Sequence, residues 1–248
     1  MSKRHDTIGI KQAIRLEWME HALNLLLSGM DAVTIREELH HYLSERKGDG
    51  SLGKRSKNTR SFVVTNLMNI WITPPKEILP LRDNAVKLVK QDPGQKRAMH
   101  WAMISSVYPF WYQTALQVGR LLSLQDQITQ KQILERLKEH YGDRQTIDRY
   151  SKFVLRSFVY WEILEDAETK GHYRHTVTNS IGSDYALALI FESILLAKKE
   201  GKCTVTELLF SPSLFAFEIP QVMASQLVGL DRRLKLDQFS VGDEYVYI

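Results

Sequence analysis

Apolar residues return at three- and four-residue steps along nearly the whole chain, and glycines and prolines break that period too often for one long helix. This pattern predicts many short amphipathic helices packed on one another. Ile14, Trp18, Ala22, Leu23, Leu26 and Leu27 make the first stripe, and Gly29 stands where a left-handed C-terminal cap belongs. Thr34 and Glu37 have capping-box spacing, so a second helix begins near Asp31 or Thr34 and turns Leu39 and Leu43 inward. Gly48, Gly50 and Gly53 mark a mobile loop. A third helix, Asn58 to Ile72, places Phe62, Leu67, Ile70 and Trp71 for burial and ends at Pro74 and Pro75. A fourth, Lys76 to Gln91, tolerates Pro80 as a first-turn or kink residue.

Further along, Arg97 to Tyr108 is helical, Pro109 splits or kinks it, and Phe110 to Leu124 continues it. Thr129 and Gln132 cap a helix that ends at Gly142, and Thr146 begins another that runs to Trp161. Glu165 to Gly171 is turn-like, and His172 to Val177 alternates as a short strand. A helix from Asp184 to Glu200 stops at Gly201; Thr204 and Glu207 cap a short one that Pro212 breaks. Gln221 to Leu230 reads as a helix, and Leu234 to Phe239 and Tyr245 to Ile248 as two strands about Val241-Gly242-Asp243. The fold class is therefore mainly α. Three segments follow: residues 1–92 a helical region, 93–178 a winged-helix-like domain, and 179–248 a helical region with a hairpin. The last two share one order: helix, capped short helix, helix, two short strands.

Hydrophobic content of 44% with 25% charged residues belongs to an ordinary soluble globular chain and excludes a disordered tail or a collagen-like repeat. The single cysteine, Cys203, excludes an internal disulfide and points to a reducing, cytoplasmic compartment. The polar start, Met1 to Asp6, has no signal-peptide pattern. Glu192 interrupts the longest apolar stretch, Tyr185 to Ala197, well short of the about 20 residues a membrane span needs.

The element order of the middle segment is that of a winged helix. Gln130 to Tyr141 would be the positioning helix, Gly142 to Gln145 the turn, and Thr146 to Tyr160 the recognition helix, whose N-terminal side chains enter a major groove. Arg144, Gln145, Thr146, Arg149, Lys152 and Arg156 are its candidate contacts. Arg and Gln read base edges, while Thr and Lys bond phosphates. The wing, Asp166 to His175, carries Lys170, His172, Arg174 and His175. Over Gln130 to Thr176, nine Lys and Arg face eight Asp and Glu, so the segment is nearly neutral and fits a protein-docking module as well. A second cluster, Arg46, Lys47, Lys54, Arg55, Lys57 and Arg60, lies in and after the glycine loop, diluted by Glu45 and Asp49. It suits phosphate contact or a solvated loop.

Signals for chemistry are sparse. Glu37, Glu38, His40 and His41 crowd one helix, but a di-iron bundle needs a second Glu-x-x-His pair. Cys203 has no identified base, and neither a Gly-x-Ser-x-Gly elbow nor a phosphate-loop motif is present. The aromatic group Trp101, Tyr108, Phe110, Trp111 and Tyr112 reads as core, with a base-stacking platform as the alternative. Arg36 and His41 have the Arg-x4-His spacing of HEPN-class ribonucleases, which keeps an RNA-cleaving alternative open.

The helix end Leu25-Leu26-Leu27-Ser28-Gly29, the polar helix after it, the Arg-led helix near Arg60 and the later helix–turn–helix with its wing resemble BrxA-type proteins, accessory components of BREX phage-defence systems. The likeness covers Ile14 to Thr176; Ser180 to Ile248 lengthens the chain beyond that pattern. It implies a non-enzymatic component that binds double-stranded DNA beside other defence-system proteins, without cofactor or membrane attachment. A homo-oligomer is compatible with it, and a scaffold for larger enzymes is the alternative.

Overall fold

Each apolar stripe meets a partner helix in the computed structural model, which describes residues 3–176, 178–220, 222, 226, 229–231, 233–240 and 243–248. The chain is mainly α. The first segment holds α1 (Leu16–Leu27), α2 (Ala32–Ser44), α3 (Lys57–Leu67) and α4 (Leu79–Gln91). Gly29 has φ 84°, as its cap position requires. Asp31 starts α2, its carboxylate accepting from Val33 N at 2.9 Å and Thr34 N at 3.1 Å, so the Thr34–Glu37 spacing is not the cap. The third predicted helix divides: α3 ends at Leu67, and Met68–Ile72 forms a wider turn closed by Thr73 N donating to Met68 O at 2.7 Å. Pro74 and Pro75, which cannot donate, follow at once. Phe62 is not buried. The inward stripe of α3 is Val63, Val64 and Leu67, one step round from Phe62, whose ring is 42% exposed with Lys11 Nζ 5.2 Å from its centroid.

Pro109 does split the next stretch, into α5 (Lys96–Val107) and α6 (Pro109–Leu122). Then come β1 (Gln127–Thr129), α7 (Gln130–Tyr141), α8 (Gln145–Tyr160), β2 (Leu164–Asp166) and β3 (His172–His175). The three strands form an antiparallel sheet in the order β1-β3-β2. In the last segment α9 (Asp184–Ala197) is followed by β5 (Lys202–Thr204), α10 (Val205–Leu209), β7 (Lys235–Ser240) and β8 (Asp243–Tyr247), whose sheet has the matching antiparallel order β5-β8-β7. Between the two layouts and within the second, β4 (Asn179–Ser180) and β6 (Phe217–Glu218) make a short parallel pair. Thr129 with Gln132 and Thr204 with Glu207 form the two expected capping boxes, each directly after a three-residue strand. The expected helix from Gln221 to Leu230 and the turn at Val241-Gly242 lie outside the described residues.

Buried apolar side chains from all three segments join one cluster, from Ile8 to Val246. All five tryptophans are in it. The aromatic group about Pro109 is core: Trp101, Trp111, Phe158 and Trp161 pack ring to ring at 4.8–6.1 Å. Among the described residues, no helix is long and apolar enough to cross a membrane.

Candidate nucleic-acid interface

The polar face of α8 follows from its sequence. Ile147, Ser151, Val154, Leu155 and Phe158 fall on one side and are buried. Gln145, Thr146, Arg149 and Lys152 fall on the other and are exposed, as is Arg144 at the N-cap. Gly142, with φ 80°, lets the chain turn between α7 and α8. The C-terminal end of α8 is held firmly: Ser157 Oγ accepts from Ile14 N at 2.9 Å, Trp161 Nε1 donates to Ile14 O at 2.9 Å, and Arg97 Nη1 donates to Trp161 O at 2.9 Å.

Two of the expected contacts are already matched by carboxylates. Lys152 Nζ donates to Asp148 at 2.7 Å, and Arg156 makes a two-pronged pair with Asp166 at 2.6 and 2.9 Å. These cations would reach a phosphate only by leaving their partners. Arg149 keeps no ion pair among the described residues and lies over its neighbour Phe153, 5.9 Å from the ring centroid. Lys170 and Arg174 are exposed on the β2–β3 hairpin, with Arg174 directly opposite Gln127. Glu162, Glu165, Asp166 and Glu168 crowd the same hairpin, so it is not a purely basic wing.

The glycine loop is folded rather than open. Arg46 pairs with Leu52 across it, Lys47 N donates to Ser51 O at 2.8 Å, and the Asp49 carboxylate accepts from Ser51 N at 3.0 Å. Gly50, at φ 85°, lies where a Cβ would strike the Arg15 guanidinium. Lys54 and Lys57 are exposed; Arg55 and Arg60 are half-buried. Arg55 lies over Trp18, 4.8 Å from the ring centroid, and burial lowers its pKa while the facing Tyr160 hydroxyl opposes the shift. Arg15 covers the ring of Tyr160 at 4.2 Å, and Tyr160 also faces Arg156. Tyr160 is the last residue of α8. Arg55 from the loop and Arg156 from α8, far apart in sequence, therefore both face this one ring.

Neither Arg15 nor Tyr160 stood out in the sequence. Arg15 precedes a helix, and Tyr160 reads as one more aromatic on an apolar stripe. The cations Arg36, Arg46, Lys47, Lys54, Arg55, Lys57 and Arg60 take part in no ion pair among the described residues. Arg55 Nε and Nη1 and Arg60 Nε are buried donors without an acceptor.

Arg36 and His41 do not share one face of α2. Five residues along a helix turn the second side chain by roughly 140° from the first, and both are exposed on α2. Arg36 shares its face with His40 instead, four residues on. His21 stacks on Tyr42 at 3.9 Å, with the Arg46 guanidinium 3.7 Å from the same Tyr42 ring. Among the described residues, no three His, Cys, Asp or Glu side chains converge to hold a metal ion. Compared with family models, curated proteins and solved structures, the chain matches none.

Proposed function

We propose that the protein is a non-catalytic, double-stranded DNA-binding component of a phage-defence complex, with a winged helix at residues 93–178. The carrying observation is the exposure of Arg144, Gln145, Thr146 and Arg149 at the start of α8, on a helix whose far end, Tyr160, faces Arg55 of the loop. A duplex with α8 in its major groove would lay a flanking phosphate strand toward Lys54, Arg55 and Lys57. The groove, about 12 Å wide, admits one helix, and phosphate contacts fix the register in which Gln145, Thr146 and Arg149 approach base edges. The order α6, β1, α7, α8, β2, β3, with its antiparallel β1-β3-β2 sheet, supports the winged-helix reading. The matching sheet order β5-β8-β7 supports a second, related unit. The place in a defence complex comes from the resemblance to BrxA-type proteins.

The test is a duplex mobility-shift assay over a range of salt concentrations. Arg149→Glu should weaken binding at every salt concentration. Lys54→Glu with Lys57→Glu should weaken it too, and should lower the salt slope by roughly 0.9 for each phosphate no longer neutralised. Unchanged binding in both variants would sink the interface.

One observation favours protein docking instead. Asp148 and Asp166 already neutralise Lys152 and Arg156, and the wing is rich in carboxylates. Under that reading, wild type shows no duplex binding at low salt but co-purifies with a larger partner enzyme.

A further inference from the structure

The cationic surface contains a further cluster on α2 and α3, joined to the α8 interface only through Lys57. Arg36 and His40 are one helical turn apart on α2. Lys57 and Arg60 stand on the first turn of α3, which packs against α2. His40 faces Arg60, Arg36 and Lys57 together, and its pKa lies below the ordinary value, chiefly through burial and then through those three charges. The carboxylates nearest along α2 are Glu37 and Glu38, and Glu38 faces His21 instead. From the wider turn after α3, which also packs on α2, Met68–Ile72 brings no titratable group, whereas α1, which packs on α2 as well, carries Glu17, Glu20 and His21.

Three features of this cluster call for an anion. None of the three fixed cations has an ion-pair partner among the described residues. Arg60 Nε is buried without an acceptor. The first turn of α3 carries Lys57 and Arg60 and no acid, although a helix N-terminus repels cations and attracts negative charge. One multiply charged oxyanion would accept from these donors together.

We infer that Arg36, His40, Lys57 and Arg60 form a phosphate-binding site whose filling is coupled to proton uptake by His40. The chemistry recognised is a phosphate group, either in a nucleic-acid backbone or as a free anion. The backbone source rests on the DNA reading above. In the empty site burial, and then the charges of Arg60, Arg36 and Lys57, disfavour a proton on His40. A bound phosphate reverses the local field, and the ring then takes a proton and becomes a further donor.

The experiment follows the His40 ring signals by NMR as inorganic phosphate is added. In parallel it measures binding of a short duplex between about pH 5.5 and pH 8. Phosphate is expected to shift the His40 signals and raise the pKa of the ring. Duplex affinity should rise as pH falls, by at most ~10-fold per pH unit for one proton. His40→Gln should remove that dependence at unchanged melting temperature, and Arg60→Gln should weaken the phosphate response. A His40 ring that phosphate leaves unmoved overturns the site, even if the duplex binds. A phosphate response without duplex binding supports the site as one for a free anion and removes the DNA reading alone. A duplex pH profile unaltered in His40→Gln overturns the proton coupling.

Discussion

His100 and Glu192 are both fully buried, and they titrate in opposite senses. His100 Nδ1 accepts from Trp71 Nε1 at 3.1 Å, and burial, helped by the charges of Lys96 and Arg97, pulls its pKa down to about 3 from 6.5. Folding stability linked to it is full above pH 6.5 and is lost as pH falls toward 3. The Glu192 carboxyl faces Asp231 and accepts from Arg233. Burial, then the bond to and charge of Asp231, opposed by Arg233, push its pKa up to about 8 from 4.5. Its linked stability is full below 4.5 and is lost as pH rises to 8. Between pH 4.5 and 6.5 the two slopes cancel, so a stability plateau is expected there, falling on either side. In urea titrations across pH, Glu192→Gln should abolish the loss from pH 6.5 to 8, worth about 2 kcal/mol at 1.36 kcal/mol per unit. An alkaline limb unchanged in the variant would contradict this. In the sequence Glu192 is only an interruption in an apolar run. Its partners lie in a distant turn, and no local pattern links them.

At the scale of elements, helix caps and breaks were legible because they act within about four residues. Both capping boxes and the Pro109 split are set by neighbours in the chain. The strands β1 and β5 were missed: three residues are too few to show an alternation, and each exists only because a later strand pairs with it. Gly119 shows the same limit. In the interior of α6 a glycine normally costs about 1 kcal/mol relative to alanine. Here α6 meets the turn Pro212–Leu214 so closely that a Cβ on Gly119 would fall inside the Pro212 carbonyl. Gly119→Ala should therefore destabilise by roughly 1–3 kcal/mol, against its helix propensity, because backbone must move to admit it. A denaturant midpoint that rises in Gly119→Ala would show that the contact yields freely.

At the scale of the whole molecule, α9 lies along α5 and α4, and every residue from Ala186 to Ala197 is buried. The last segment thus covers apolar surface of the other two. A chain ending at residue 178 should lose the cooperative thermal transition and the near-ultraviolet tryptophan signal of the full chain. A sharp transition in the shortened chain would show instead that the first two segments need no such cover. The mainly helical class, the positions of most helices and the crowding of Arg46 to Arg60 follow from periodicity, capping and composition along the chain alone. Pairings between distant elements are another matter. Packing between elements paired Arg156 with Asp166, set Arg60 and Lys57 of α3 near His40 of α2, and brought Arg55 of the loop to Tyr160 at the end of α8. Electrostatic contact depends on distance in space rather than separation in sequence.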